Sequence, residues 1–141
     1  MKNMIYLDAN IFIYPLVNPV GEERGRICGE LLLKAASKRI DAFTSLLTWD
    51  EVVHSIKRYL GRDIAVVEGK KFIGFPNLTF LRVDDRVISE AQNLISKYNL
   101  NPRDAIHAST AIRNGIKKII SDDPDFDKVK EIKRIRLEEF K

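Results

Sequence analysis

Carboxylates at four places in the chain, Asp8, Glu51, Asp104 and the adjacent pair Asp122 and Asp123, are the residues whose types and positions could do chemistry together. Carboxylates held close to one another repel, and they tend to keep a proton. A divalent hard cation removes that repulsion, and oxygen ligands in a partly open site suit Mg²⁺ or Mn²⁺. One or two such ions activate water and stabilise the charge that develops during phosphodiester cleavage. We therefore take these carboxylates as the candidate catalytic and metal-binding group, with either Asp122 or Asp123 as its fourth member.

Each of these acids also has a simpler structural explanation. Glu51 fits the third position of a capping box that Thr48 would open. Asp104 would stabilise the positive end of its helix dipole, and Asp123 could simply form a turn. Asp8 is harder to explain in this way, because a carboxylate that closes a buried strand is costly without a partner or a metal. The convergence of the four residues favours a shared role.

The hydrophobic pattern predicts strands that alternate with helices along the whole chain. The predicted strands are 4–8, 41–45, 78–83, 116–121 and 134–137, and the predicted helices are 22–38, 48–60, 63–73, 85–98 and 102–114. Pro15 is expected to break the apolar run 10–17, and 18–21 to form a loop. This alternation predicts right-handed crossovers and an α/β fold with a parallel sheet covered on both faces.

The predicted elements bring the acids toward one edge of the sheet. Asp8 ends the first strand, and Asp122 and Asp123 follow the fourth. Glu51 lies in the first turn of the helix that leaves the second strand. Asp104 reaches this edge only if its helix begins on the same side. Ligands of parallel sheets bind outside the carboxyl ends of the strands, so this edge is the expected site.

Length and composition limit the class of protein. The chain has 141 residues, which fits one domain over 1–141. No apolar run approaches the roughly 18 residues that span a bilayer, and Asp8 comes too early for a secretion signal. The single cysteine excludes an internal disulfide, and with only two histidines no zinc site is expected. We expect a cytoplasmic protein without membrane contact.

Several familiar sites are absent from the sequence. A calcium loop that starts at Asp123 lacks the required glycine and glutamate, with Lys128 and Arg134 in their places. No phosphate-binding loop, dinucleotide fingerprint or nucleophile elbow occurs.

His107, three residues after Asp104, could orient that acid, but we expect an ordinary packing role. Trp49 is expected in the core or at an interface.

Taken together, four segments give the chain a resemblance to the PIN-domain nucleases, especially the VapC-like toxins of prokaryotic toxin–antitoxin pairs. The matching segments are 7–12 with its D-x-N start, 44–52 with the glutamate-bearing helix, 102–108 with the D-A-x-x-A pattern, and 120–126 with the closing S-x-D-x-D-F. Each motif is weak alone, but the four occur in the family's order over nearly the whole chain.

The resemblance implies a role for each matching polar residue. Asp8, Glu51, Asp104 and Asp123 would ligate Mg²⁺ or Mn²⁺, directly or through water. Asn10 and Ser121 would orient them by hydrogen bonds, and Asp125 would be a nearby auxiliary acid. The doubled acid at 122–123 leaves the fourth ligand open, and Asp123 aligns when Ser121 opens the motif. The resemblance also implies a three-layer α/β/α sandwich with a mainly parallel sheet, usually dimeric.

The expected function is that of a metal-dependent endoribonuclease, with RNA as substrate, a possible antitoxin as partner and a homodimer as assembly. Basic residues that could follow an RNA backbone are Lys57, Arg58, Arg62, Lys70, Lys71, Arg103, Lys117 and Lys118. Phe72, Phe75 and Phe80 could fill the core or line a groove for a second copy or an antitoxin helix. The alternatives are a non-catalytic PIN-like scaffold and, ranked lower, a phosphatase that uses Asp8 as nucleophile.

Overall fold

The computed structural model describes residues 3–17 and 22–140, so the loop predicted at 18–21 lies outside the described residues. The strands are β1 (Met4–Leu7), β2 (Asp41–Ser45), β3 (Leu78–Leu81), β4 (Lys118–Ile120) and β5 (Lys133–Ile135). The helices are α1 (Ala9–Val17), α2 (Glu23–Ala36), α3 (Leu46–Leu60), α4 (Arg62–Ile73), α5 (Asp85–Tyr98) and α6 (Pro102–Arg113), with short 3-10 helices at Pro124–Lys128 and Leu137–Phe140.

The five strands form one sheet in the order β3-β2-β1-β4-β5. Every neighbouring pair is parallel, and the register pairs Tyr6 of β1 with Phe43 on one side and Ile119 on the other. The predicted parallel sheet is therefore confirmed. Its chain order reverses between β1 and β4, and such a reversal opens a crevice at the carboxyl ends of the two strands.

Two apolar cores cover the two faces of the sheet. Ile5 and Leu7 point into one core, which is shared with buried residues of α1, α2, α3 and α4. Tyr6 points to the opposite face and packs against the other core, which is built with α5 and α6. This alternation follows from the period of two along a strand. The predicted three-layer α/β/α arrangement is confirmed.

Helix α1 differs from the expectation that Pro15 would break this segment. The helix continues through Pro15 to Val17. Proline removes one backbone hydrogen bond and strains the turn before it, at a cost of about 3 kcal/mol in a helix interior. Burial of Ile11, Phe12 and Ile13 against the sheet offsets that cost, because most helical stability in proteins comes from tertiary packing.

Helix α3 begins earlier than predicted, which overturns the expected capping box. The helix starts at Leu46, so Glu51 is its sixth residue rather than a member of the first turn. Thr48 is fully buried, and its hydroxyl lies 2.7 Å from that of Thr44 on β2. Thr48 therefore bonds the side chain of Thr44 across the junction of β2 and α3, and it does not cap the helix.

Helix α5 occupies the segment predicted as a helix at 85–98, and its apolar residues Val87, Ala91 and Leu94 are buried. Asp84 caps its N-terminus by accepting a hydrogen bond from the Val87 backbone N–H at 3.1 Å. The helix ends at Asn99, which has a positive φ of 54°. None of the helices in the described part of the chain has the length and apolar character needed to cross a membrane.

Candidate active site

The candidate site lies where the two central strands end. Asp8 directly follows β1, and 121–123 directly follow β4. The Asp8 backbone N–H donates to the Ile120 carbonyl at 3.2 Å, which holds the two strand ends side by side. Sequence order therefore places these acids next to the crevice that the parallel topology opens.

A small polar cleft of about 190 Å³ occupies this edge of the sheet. Asp8, Glu51, Asp104 and Asp123 all line the same cleft. The other lining residues are Ala9, Asn10, Ile13, His54, Ser55 and Arg103. Asp104 reaches the cleft because α6 begins at the carboxyl edge of the sheet, which was the condition left open by the sequence.

Asp8 is held at the bottom of the cleft and is only 7% exposed. Its Oδ1 accepts a hydrogen bond from the Ala9 backbone N–H at 2.8 Å, and its Oδ2 accepts one from the Ser121 hydroxyl at 2.6 Å. Burial raises the pKa of Asp8 above its ordinary value, although His107 and these two hydrogen bonds oppose the rise. Ser121 also accepts the Asp123 backbone N–H at 3.0 Å, so it connects Asp8 to the turn that carries Asp123.

Asp104, Asp123 and Asp125 each offer a carboxylate oxygen, and the three oxygens lie within 4.8 Å of one another. Burial, followed by the charge of Asp123, raises the pKa of Asp104 to about 7. Such mutual repulsion is relieved when a cation binds between the groups. An all-oxygen donor set in a partly open cleft fits Mg²⁺ or Mn²⁺, so the residues present suit the metal that the sequence predicts.

The two adjacent acids after Ser121, Asp122 and Asp123, have different surroundings. The carboxylate of Asp122 accepts a hydrogen bond from the Tyr14 hydroxyl at 2.9 Å and an ion-pairing contact from Arg24 at 3.1 Å. Burial, and then the hydrogen bond to Asp122, raise the pKa of Tyr14 to about 12. Asp123 instead lines the cleft and accepts the Asp125 backbone N–H at 2.9 Å.

Asn10 and Asp125, the remaining predicted residues, also lie at this edge. Asn10 is the second residue of α1 and lines the cleft. Asp125 begins the 3-10 turn after Pro124, and its carboxylate forms an ion pair with Lys128 at 3.3 Å. The Asp125 carboxylate therefore lies near Asp104 and Asp123 and also pairs with Lys128.

His107 contributes more to the cleft than the packing role expected from the sequence. Its ring is fully buried, with Nε2 hydrogen-bonded to Glu51 and 3.8 Å from an oxygen of Asp8. Burial alone would lower the pKa of His107, but the neighbouring Tyr6, Glu51 and Asp8 raise it well above its usual value. The sequence signal for this role was the position of His107 one helical turn after Asp104. That spacing suggested Asp104 as its partner, but the imidazole bonds Glu51 instead.

Comparison with known proteins agrees with this fold. A model of the PIN domain family matches residues 5–132. Ribonuclease VapC2 from Methanocaldococcus jannaschii is 28% identical over 144 aligned residues, which cover 91% of this chain and 90% of that protein.

Solved structures with the same fold include a toxin–antitoxin complex from Klebsiella pneumoniae, with a TM-score of 0.66 and 20% identity over 92% of this chain and 95% of the other. VapC20 from Mycobacterium tuberculosis, a sarcin–ricin loop cleaving toxin, has a TM-score of 0.70 and 20% identity over 87% of this chain and 92% of its own. At this identity the likeness concerns the fold. Because the family match runs from β1 to the residue before β5, this chain belongs to the PIN domain family.

Proposed function

We propose that this protein is a metal-dependent endoribonuclease of the VapC-like type, which hydrolyses RNA phosphodiester bonds at the acidic cleft. The observation that carries the proposal is the meeting of Asp8, Glu51, Asp104 and Asp123 in one cleft at the reversal point of the sheet. The similarity to a VapC ribonuclease supports the same reaction and substrate class.

In this proposal Asp8, Asp104 and Asp123, with Glu51, hold Mg²⁺ or Mn²⁺. When bound, the divalent ion activates water and neutralises charge that develops on the phosphodiester. Ser121 orients Asp8 through its 2.6 Å hydrogen bond and fixes the backbone of the adjacent turn.

Asn10 and Asp125 are proposed to support the site from its margin. Asn10 lines the cleft with a side chain that can donate and accept hydrogen bonds. Asp125 adds a further negative charge near Asp104 and Asp123.

Positive charge near the cleft supports RNA as the substrate. Arg103 is exposed and lines the cleft directly beside Asp104, where it can contact a phosphate of a bound strand. Lys117 immediately precedes β4 and therefore lies at the amino edge of the sheet, opposite the cleft. Of the basic residues selected from the sequence, we propose Arg103 as an RNA contact and leave Lys117 out.

The test compares Asp104→Asn with Asp63→Asn, which replaces a highly exposed aspartate paired with Arg62 on α4. We expect Asp104→Asn to abolish Mn²⁺-dependent cleavage of RNA and to weaken Mn²⁺ binding in calorimetry. The circular dichroism spectrum should match that of the wild type. Asp63→Asn should cleave as the wild type does. Undiminished cleavage by Asp104→Asn would refute the proposal.

The same calorimetric titration separates the nuclease from the scaffold, and a search for covalent phosphate on Asp8 separates it from the phosphatase. A non-catalytic scaffold would bind no Mn²⁺ at millimolar concentration. A phosphatase would form a phospho-aspartate at Asp8. The observed geometry argues against that reaction, because Asp8 is nearly buried and both of its oxygens accept hydrogen bonds.

We also propose that an antitoxin segment binds the apolar groove between α1, α2, α3 and α4. This groove of about 480 Å³ is lined by Phe12, Leu16, Phe72 and Phe75 among others. The structural neighbour from Klebsiella pneumoniae is a toxin–antitoxin complex, which supports a protein partner. Co-purification with the product of a neighbouring reading frame tests this pairing. Leu16→Glu should abolish it, whereas Leu33→Glu, 71% exposed on α2, should not.

A homodimer is proposed on the apolar side chains that α3 and α4 leave exposed. They are Leu46, Trp49, Tyr59, Ile64, Val66, Val67 and Ile73. Leu46, Trp49, Val66 and Ile73 line two adjoining shallow pockets, and exposed apolar surface of this kind is typical of an interface. Light scattering should report a dimer for the wild type and a monomer for Trp49→Glu.

The cytoplasmic location of the protein stays a prediction.

A further inference from the structure

Tyr6 is a polar residue at the centre of the sheet that the proposed reaction does not use. It is fully buried on β1, between Ile5 and Leu7, which face the other core. Its hydroxyl lies 2.6 Å from Nδ1 of His107, and this ring nitrogen is its one hydrogen-bond partner among the described residues. A buried hydroxyl requires such a partner, because an unpaired one is costly.

His107 has both ring nitrogens engaged. Nδ1 contacts the Tyr6 hydroxyl, and Nε2 contacts Oε1 of Glu51. The rings of Tyr6 and His107 also meet edge to face, with centroids 5.6 Å apart. A turn of the imidazole would break both hydrogen bonds, so the ring is held in one orientation.

The proton on Nε2 follows from the partners of the ring. A carboxylate only accepts hydrogen bonds, so Nε2 must donate to Glu51. In a neutral ring Nδ1 then accepts the Tyr6 proton, and in a charged ring Nδ1 donates to the Tyr6 oxygen. In both states the Nε2 proton faces Glu51.

The two hydrogen bonds of His107 join three separate elements of the fold, since Tyr6 lies on β1, His107 on α6 and Glu51 on α3. Glutamate has several rotatable bonds, and a free glutamate side chain would populate several rotamers. The buried imidazole removes that freedom from Glu51 at the place where the acids meet.

We propose that Tyr6 and His107 are positioning residues that hold the Glu51 carboxylate in the cleft, so that the cation site is formed before the ion binds. This role rests on the proposed metal-dependent function. Partners that orient metal ligands typically change metal affinity by about 10- to 100-fold when they are removed. A purely structural role of the same pair would change stability without changing affinity.

Calorimetric titration with Mn²⁺ tests the proposal on Tyr6→Phe, His107→Gln and His107→Leu. We expect His107→Leu to weaken binding by about 10- to 100-fold and Tyr6→Phe to weaken it by less. His107→Gln should recover part of the affinity, because its amide can donate to Glu51. Tyr6→Phe keeps the volume of the ring, so it remains informative if His107→Leu does not fold.

Tyr98→Phe is the matched control. The Tyr98 hydroxyl, like that of Tyr6, has a side-chain hydrogen-bond partner: it donates to Glu131 at 2.5 Å. Tyr98 lies at the end of α5 and does not line the cleft. This variant should bind Mn²⁺ as the wild type does. In cleavage assays, Tyr6→Phe should need more Mn²⁺ for half-maximal rate and should recover at saturating Mn²⁺.

Nuclear magnetic resonance supplies a readout that does not depend on activity. The chain has two histidines, and His54 is exposed, so the buried Nε2–H of His107 should exchange slowly with water and stand apart. This resonance should shift in Glu51→Gln and should exchange faster in Tyr6→Phe.

The outcomes distinguish the two proposals. Equal Mn²⁺ affinity of the wild type, Tyr6→Phe and His107→Leu would overturn the positioning role alone. If the wild type bound no Mn²⁺, the proposed function would fall and the positioning role with it.

Discussion

Asp104 keeps its proton into the neutral range, because burial and the nearby Asp123 raise its pKa to about 7. In the unfolded chain an aspartate loses its proton near pH 3.9. Between these values the folded state binds more protons than the unfolded state, so the free energy of unfolding falls as the pH rises. The contribution of Asp104 is therefore complete below pH 4 and lost above about pH 7.

We expect the metal-free protein to lose stability between pH 4 and pH 7, and Asp104→Asn to lose less over that range. Asn has no proton to release, so the difference between the two curves isolates Asp104. At pH 8 the variant should melt at a higher temperature than the wild type, because repulsion from Asp123 is relieved. Thermal unfolding with a chelator present measures both effects, and parallel curves would contradict this account.

The adjacent acids Asp122 and Asp123 should respond differently to the same substitution. Asp123→Asn should weaken Mn²⁺ binding by at least the 10- to 100-fold that the loss of an outer partner costs. Asp122→Asn should bind Mn²⁺ within about twofold of the wild type. It should lose about 1 kcal/mol of stability, because the contacts of the carboxylate with Tyr14 and Arg24 are weakened. Calorimetry measures the Mn²⁺ affinity of each variant, and urea unfolding measures its stability. If Asp122→Asn lost Mn²⁺ affinity and Asp123→Asn did not, Asp122 would be the fourth ligand.

At the scale of the elements, α4 supports the helix that carries Glu51. Gly69 of α4 lies close to α3, where an added Cβ would come within 3.2 Å of a Val53 methyl group. We expect Gly69→Val to separate the two helices at a cost of about 1–3 kcal/mol, as overpacking does. Mn²⁺ affinity should fall with it, because α3 positions Glu51.

Gly29 on α2 is the matched position, since a Cβ there would meet no atom within 4 Å. Gly29→Ala should stabilise the protein by about 0.5–1 kcal/mol, because glycine in a helix interior carries that penalty relative to alanine. Urea unfolding measures both variants. A stabilised Gly69→Val would show that α3 and α4 are not in close contact at this point.

The helices also show where local sequence patterns predict the structure correctly and where they do not. The helix predicted at 85–98 is confirmed as α5, because the apolar residues that it buries and its cap, Asp84, lie within or next to that segment. The expectations at Pro15 and at Thr48 were wrong. Helix α1 continues through Pro15 because its apolar residues are buried, and Thr48 is an interior residue of α3 that bonds Thr44 at the end of β2. Local propensity is a weak guide wherever tertiary packing contributes more free energy than the local signal.

At the scale of the whole molecule, the mild net charge of +4 is less informative than where the charges lie. Arg103 stands at the acidic cleft, and Lys117 stands at the opposite edge of the sheet. We expect Arg103→Ala, in the inactive Asp104→Asn background, to weaken RNA binding and to lower the salt slope of binding by about 0.7 for one lost phosphate contact. Fluorescence anisotropy over a range of KCl concentrations measures the slope.

Lys117→Ala in the same background is the control, and its slope should equal that of the parent. Equal slopes for Arg103→Ala and the parent would remove Arg103 from the proposed RNA path. A reduced slope for Lys117→Ala would place RNA on the amino edge instead, away from the acids.

The sequence by itself determined the alternation of strands and helices, the parallel sheet and the placement of acids directly after strand ends. These features follow from apolar patterning within short segments, which burial imposes locally. Tertiary structure alone decided that Asp122 contacts Tyr14, 108 residues away, and that His107 contacts Glu51, 56 residues away. Such pairings depend on how separate elements pack against the sheet, and no local pattern records that geometry.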